Sequence, residues 1–219
     1  MSVLLPERRA SKKSPSDAFD HLLRLALDLG ADEAKVIATD DVVVEDRVVL
    51  KCRYGCHLYG KKLICPPFVP SPDEFRATLK EYRYALLAKF TASASADADV
   101  VESLLKNEIC PDTPPELRER TKRFWSDWDK DKVRVHKAVL ELEKAAFNSG
   151  YTLAMAFTAG SCALCGECNV GGLCVHPTMK RLPEHALGVN VVKTVRNAGM
   201  SLNFPFKKRP NLIAMLLID

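Results

Sequence analysis

The chain has 219 residues, of which 47% are hydrophobic and 27% are charged, as is typical of a globular protein with one core. The net charge of +4 and the aromatic content of 7% do not favour nucleic-acid binding, which usually relies on a strong basic excess and stacking side chains. The eight cysteines are the feature that points to a specific chemistry.

The chain begins with a basic segment over residues 1–15, which we interpret as a disordered tail before a single domain over residues 16–219. Its apolar stretch is too short for a secretory signal, and no run approaches the length of a membrane span. We therefore expect a cytoplasmic protein. Because that compartment is reducing, we expect the cysteines to bind metal rather than to form four disulfides.

The first half of the chain predicts helices and strands in irregular order. Apolar residues at helical spacing before Gly30 predict a first helix, and valine-rich runs predict strands leading into the first cysteines. Ser71, followed by a proline and by Glu74, is typical of a capped helix start. The predicted elements are a helix from 16 or 17 to 29, strands over 34–40 and 42–50, a helix from 71 to near 80, a strand over 84–90 and a helix over 99–107.

Three cysteines with the pattern C-x3-C-x8-C-P-P form what we call the upstream group: Cys52, Cys56 and Cys65. Positive neighbours lower the pKa of a thiol and favour the thiolate that binds metal. Such neighbours here are Arg53, His57, Lys61 and Lys62. We predict a metal site, against the alternative of three small buried apolar residues. Cys110 is a candidate fourth ligand, or else a buried thiol at a helix end.

The second half of the chain predicts a long charged helix through residue 148, with an apolar stripe that we assign to the core. A strand over 151–157 then feeds the next cysteines, Asn190 caps a helix that ends before Gly199, and a strand over 212–218 follows. This irregular alternation predicts an α+β fold with a mixed sheet and packed helices. Both cysteine groups follow predicted strands, so one sheet edge would present them close together.

The downstream group consists of four cysteines within thirteen residues, with the pattern C-x2-C-x2-C-x5-C: Cys162, Cys165, Cys168 and Cys174. Ferredoxin-type iron–sulfur ligands have nearly this spacing, usually with a proline beside the last cysteine, and Pro177 follows here. Zinc is the rival, since four sulfurs at a tetrahedral centre suit either metal. Zinc folds usually separate one C-x2-C pair from a second, so the third cysteine favours a 4Fe–4S cluster.

These motifs resemble a family of prokaryotic, largely anaerobe-associated proteins, described as predicted metal-binding proteins of unknown function. The resemblance begins at CxxxC, YGKK and CPPxxPSP over 51–72 and resumes from Ala159 through the downstream group, covering about residues 18–219. Members usually have Arg-Pro-Ser-Met-Glu-Ala before Gly-Ile-Asp-Val, from which Leu182, His185 and Asn190 depart. The departures fall at a predicted helix entry and not on a cysteine. The resemblance implies iron–sulfur binding but no particular reaction.

Three functions remain open on the sequence. The first is electron transfer in anaerobic metabolism, with one 4Fe–4S cluster on the downstream group and a second on the upstream group, serving a redox partner protein. The second is an enzyme whose three-cysteine cluster leaves one iron open as a Lewis acid for desulfuration, sulfur transfer or dehydration of a small molecule. The third is an interaction protein stabilised by zinc.

Overall fold

The computed structural model describes residues 18–106 and 113–219. The predicted tail over 1–15 and Cys110 lie outside the described residues. Within them are six α-helices and four strands, in the order α1 (Asp20–Asp28), β1 (Glu33–Ala38), α2 (Asp46–Gly55), α3 (Pro72–Leu79), β2 (Tyr84–Thr91), α4 (Ala98–Lys106), α5 (Pro115–Asn148), β3 (Met155–Phe157), α6 (Val191–Asn197) and β4 (Asn211–Ile218). Short 3-10 turns occupy Thr39–Asp41 and Glu184–Leu187.

The four strands form one sheet in the order β1-β2-β4-β3, so the last strand of the chain lies between the second and the third. Leu86 pairs with Leu216 across β2 and β4, and Phe157 pairs with Met215 across β3 and β4. The α+β class is confirmed, but the predicted mixed sheet is wrong, because all three strand pairings are antiparallel. One isolated parallel bridge joins Thr158 and Pro183, beyond the end of β3.

Helices cover both faces of the sheet. Successive strand side chains point to opposite faces, so Leu86 and Leu216 pack under α1 and α5, while their neighbours Leu87 and Met215 pack under α3 and α6. This three-layer arrangement buries seven of the eight residues of β4. It explains why that strand reads as a continuous apolar run and not as an alternating one.

Two helix starts follow the predicted chemistry. The Ser71 hydroxyl accepts a hydrogen bond from the backbone N–H of Glu74, and the Glu74 carboxylate accepts one from the backbone N–H of Ser71 at 2.7 Å. At α6 the Asn190 side chain accepts from the N–H of Lys193 at 3.1 Å. Both pairs satisfy amide donors that a helix start leaves without intrahelical partners, so these boundaries are local properties of the sequence.

The predicted strand over residues 42–50 is wrong. Val44 makes one isolated bridge to Val189, and α2 begins two residues later at Asp46. Between them, the Glu45 carboxylate accepts hydrogen bonds from Asn190 and Lys193, which come from far along the chain. The valine-rich pattern is locally compatible with a strand, but these long-range contacts fix the chain beside α6 instead of against a strand. Cys52 therefore lies on a helix.

The longest helix is α5, with 34 residues. Val135, Val139 and Leu142 form its buried stripe, as the sequence predicts, whereas Trp125 nearer its start is 40% exposed. The strand predicted to follow it over 151–157 is shorter, at Met155–Phe157. Among the described helices, none combines the length and the apolar character needed to cross a membrane.

Candidate metal centre

The upstream group lies where α2 ends and a compact loop begins. Cys52 is in the last turns of α2, Cys56 is its C-terminal cap, and Cys65 follows in the loop, where it is 8% exposed. Gly60 has a φ of 69°, which favours glycine, and its N–H donates to the carbonyl of Pro66 at 3.1 Å. The loop thus closes around Cys65 and keeps its thiol inside.

The downstream group follows β3 directly, as the sequence predicts. After Thr158 the chain turns at Gly160, whose φ of 70° again lies in the left-handed region. A Cβ at Gly160 would come within 3.1 Å of the Lys132 side chain, so a glycine also provides the space that this close approach requires. Cys162 and the three later cysteines then lie half-buried in an irregular loop.

Side chains of α5 hold this loop at both ends. Lys132 donates to the Ser161 hydroxyl at 3.0 Å, immediately before Cys162. Beyond Cys174, the ring Nε2 of His136 lies 2.5 Å from the carbonyl oxygen of Met179. The helix therefore fixes the residues on either side of the cysteine loop without contributing a cysteine itself.

An ion pair adds a third attachment. The Arg181 guanidinium forms a two-bond pair with the Glu143 carboxylate, with an Nε–Oε2 distance of 2.8 Å. The same carboxylate accepts the N–H of Ala156 in β3 at 2.6 Å, so it joins the strand before the loop to the segment after it. Spacings of four and eleven residues bring Lys132, His136 and Glu143 to one face of a helix with 3.6 residues per turn.

The two cysteine groups meet. The backbone N–H of Leu63, in the upstream loop, donates to the sulfur of Cys168 with an N–S distance of 3.4 Å. The thiol of Cys65 interacts electrostatically with those of Cys52, Cys56 and Cys162. Lys62 acts on both Cys65 and Cys162, so its charge lies close to both groups. The fold thus brings six thiols from two distant segments near one another: Cys52, Cys56, Cys65, Cys162, Cys165 and Cys168.

Burial raises the pKa of three thiols in this region. It raises the pKa of Cys65 to about 12, with further increases from the neighbouring Cys56, Cys52 and Cys162 thiols and an opposing effect of Lys62. Burial also raises the pKa of Cys52 and Cys162. For the upstream group the sequence predicts lowered pKa values from the basic neighbours, and for Cys52 and Cys65 that prediction is wrong because desolvation outweighs the positive charge. A thiophilic cation that binds here must displace protons.

The donor set fits a thiophilic metal. All seven cysteines within the described ranges carry free thiols, and sulfur donors suit zinc or iron–sulfur clusters better than hard cations. Across residues 18–106 and 113–219, however, no three His, Cys, Asp or Glu side chains are already gathered as a ligand set. Cys52 lies in the last turns of α2, whereas the other described cysteines lie at its end or in the loops.

Sequence reasoning missed the groups that support these loops. The N–H of Leu63 carries no side-chain signal, so its contact with Cys168 follows only from the tertiary fold. The polar face of α5 did leave a signal, because Lys132, His136 and Glu143 recur at helical spacing beside the apolar stripe. His136 is 3% exposed, and its ring lies against the carbonyl oxygen of Met179, so its role here is structural.

A cavity of about 410 Å³ lies elsewhere, against the outer side of α5. Leu29, Arg134 and Lys137 are among its lining residues, none of which is a cysteine. It is an open groove between surface side chains, with no group that suggests chemistry. The cysteine loops, and not this groove, are therefore the candidate site.

Comparison with known proteins agrees with the cysteine chemistry at the level of metal binding. The model of one family, described as "Predicted metal-binding protein (DUF2284)", matches residues 35–218, which include both cysteine groups. No curated protein and no solved structure was found to match the chain. Since the match extends over most of the sequence, the chain belongs to the DUF2284 family of predicted metal-binding proteins.

Proposed function

We propose that this chain is an iron–sulfur protein that transfers single electrons in anaerobic metabolism in the cytoplasm. Cys162, Cys165, Cys168 and Cys174 hold one 4Fe–4S cluster. Cys52, Cys56 and Cys65 hold a second, for which Cys110 is a candidate fourth ligand. Such clusters supply one-electron chemistry, and hydrogen bonds and burial around the sulfurs adjust their reduction potentials. The natural partner is a second redox protein.

The observation that carries the proposal is the contact between the two groups. An amide N–H directed at a cysteine sulfur, as that of Leu63 is at Cys168, is a typical interaction around a thiolate-bound cluster. The effect of the Cys162 thiol on the pKa of Cys65 supports two centres that lie near one another. A redox module needs such proximity, whereas two zinc sites that only stabilise loops do not.

The spacing of the downstream group supports iron over zinc. Two successive two-residue spacers bring three sulfurs onto a very short tether, and this is the arrangement of ferredoxin-type ligands. A structural zinc site usually combines two separated pairs. The pattern therefore favours a cluster, and the loop attachments to α5 supply the rigidity that a redox centre needs for small reorganisation.

The experiment is anaerobic reconstitution with ferrous iron and sulfide, with a parallel sample supplied with zinc. The proposal expects a brown protein with broad visible absorbance and, after one-electron reduction, a paramagnetic signal typical of 4Fe–4S clusters. A colourless protein that retains only zinc, and whose stability against urea increases with zinc alone, would contradict it. That outcome would favour the zinc-stabilised interaction protein.

An enzyme is the second candidate, and one observation favours it. Among the described residues the upstream group contains three cysteines, and Lys61 and Lys62 provide positive charge beside them. A cluster with three protein thiolates leaves one iron open to act as a Lewis acid on a substrate oxygen or sulfur. Desulfuration, sulfur transfer or dehydration of an anionic small molecule would suit this arrangement. Added thiols or hydroxy acids should then change the paramagnetic spectrum of one cluster and not the other.

A further inference from the structure

The only charged side chains of the segment over residues 51–71, which contains the upstream group, are basic. It contains Lys51, Arg53, Lys61 and Lys62 and has no aspartate or glutamate. Lys51, Arg53 and Lys61 are exposed, and Lys62 is half-buried. The excess of four positive charges in this short segment equals the formal net charge of the whole chain. The rest of the chain therefore has a net charge of zero, so this segment is more basic than the chain as a whole.

These cations have no acidic partners within the described part of the chain. Neighbouring basic residues do have them: Arg47 pairs with Glu45 at 3.0 Å, and Arg76 pairs with Asp46 at 2.5 Å. Unpaired charges project their field into solvent, and the effect extends over about 10 Å at ordinary ionic strength. The basic segment thus attracts an anionic surface toward the two cysteine groups.

Exposed apolar side chains accompany the charges. Tyr54, between Cys52 and Cys56, is 79% exposed, and Leu173, next to Cys174, is 87% exposed. Each lies within two residues of a cysteine, hence within about 7 Å along the chain. Protein interfaces typically combine a central apolar contact with a charged rim, and tyrosine and arginine are frequent in them. We call Lys51, Arg53, Tyr54, Lys61, Lys62 and Leu173 the cysteine rim.

We propose that the cysteine rim is the docking surface for an acidic electron-transfer protein. This inference rests on the proposed function, because a carrier must bring its partner close to its redox centre. Complementary charge accelerates such encounters and aligns the partners, while small apolar contacts allow rapid release. A protein fits better than a nucleic acid, since the rim offers one exposed tyrosine and one exposed leucine but no array of stacking side chains.

The test uses the full chain, reconstituted anaerobically, and an acidic bacterial flavodoxin as the probe. The variant Arg53→Gln/Lys61→Gln removes two exposed charges from the rim. Its control, Lys80→Gln/Lys137→Gln, removes two exposed charges that are likewise unpaired among the described residues but belong to segments without cysteines. Both variants change the net charge equally, so a difference between them reports the position of the charge. Binding is measured by calorimetry at low and at high ionic strength.

We expect the wild-type protein to bind flavodoxin at low salt, with affinity about tenfold weaker at high salt or in the rim variant. The control should stay within about twofold of wild type. No binding to flavodoxin, equal losses in both variants, or independence from salt would overturn the proposal. Binding of the rim to anionic vesicles, to DNA or to a second copy, in preference to flavodoxin, would overturn it as well.

A second measurement uses small redox reagents and needs no partner protein. Oxidation of the reduced protein by anionic ferricyanide should slow with added salt and slow several-fold in the rim variant, whereas oxidation by a cationic complex should show the opposite trends. Equal oxidation rates in the rim variant and in the control would show that the cysteine rim has no distinct positive potential. A wild-type protein that does not retain iron would instead count against the proposed function. In that case, calorimetry on zinc-loaded protein still compares the rim variant with the control.

Discussion

The backbone N–H of Leu63 donates to the sulfur of Cys168 across 105 residues of sequence, with an N–S distance of 3.4 Å. It is a direct hydrogen bond between the upstream loop and the downstream group. A hydrogen bond to a thiolate stabilises the more negative, reduced state of a cluster. If the downstream group holds the proposed cluster, the upstream loop therefore contributes to its reduction potential.

Leu63→Pro removes this donor, and Leu63→Ala keeps it while truncating the same side chain. Because only the proline substitution removes the amide hydrogen, the comparison of the two variants isolates the N–H. We expect the proline variant to have a lower downstream reduction potential than the alanine variant. If the hydrogen bond is stronger by about 1 kcal/mol in the reduced state than in the oxidised state, its loss lowers the one-electron reduction potential by about 40 mV. Equal potentials at equal iron content would show that the contact does not affect the cluster.

Glu143→Gln removes the charge that holds Arg181. Both side chains are largely buried, with exposures of 17% and 15%, so an uncompensated guanidinium remains. We expect a loss of about 1–3 kcal/mol in the free energy of unfolding, measured by urea titration. The control is Glu141→Gln on the same helix, where the pair with Lys144 is exposed, and its change should stay below about 0.5 kcal/mol. Similar losses in the two variants would contradict the role assigned to Glu143.

The sequence predicted those parts of the fold that depend on local chemistry. The capping box at Ser71, the cap at Asn190 and the last strand are confirmed, because each follows from neighbouring residues. The strand predicted over 42–50 failed because Glu45 binds Asn190 and Lys193 from a distant segment. The sheet direction failed similarly, since pairing of β2 with β4 is a long-range event.

The candidate site, too, was predictable from the sequence only in part. Cysteine spacing identified the loops, and the family match agrees with metal binding. The closeness of the two groups was predicted from a shared sheet edge, but α2 and the loop after it carry the upstream group instead. Burial of Cys65 reversed the predicted direction of its pKa, because desolvation cannot be derived from neighbouring charges alone.

The buried Glu184 predicts how the free energy of unfolding depends on pH. Burial raises its pKa well above the ordinary value, and its Oε1 has no hydrogen-bond partner within the described residues. It lines a cavity of about 10 Å³, close to the volume that one water needs. A group whose folded-state pKa is raised stabilises the protein less as pH rises from its unfolded pKa, about 4.3, toward the folded value.

Glu184→Gln should therefore reduce the fall in unfolding free energy between about pH 5 and pH 8, by at most about 1.4 kcal/mol per pH unit. Urea titrations of both proteins across this range provide the measurement. The control is Glu116→Gln, since Glu116 is exposed in the first turn of α5. Parallel stability curves for wild type and Glu184→Gln would show that the carboxyl does not titrate on unfolding.

Cys56→Ala and Cys110→Ala decide how the upstream group is completed. Cys56 belongs to the described cluster of thiols, and Cys110 lies outside the described residues. We expect Cys56→Ala to lose about half of the iron and Cys110→Ala to keep nearly all of it, measured by iron analysis after anaerobic reconstitution. The open-iron enzyme would then gain support. Equal losses would indicate closure by four thiolates and favour electron transfer.

A count of iron and acid-labile sulfide per chain will show whether the two cysteine groups hold iron–sulfur clusters. Anaerobically reconstituted wild-type protein should contain about eight of each, four for each cluster. Cys165→Ser should lose about half, and Ala163→Ser, a change in the same loop that spares the cysteines, should lose none. Stoichiometric zinc with negligible sulfide in wild type, or an unchanged iron count in Cys165→Ser, would contradict iron–sulfur binding by these cysteines.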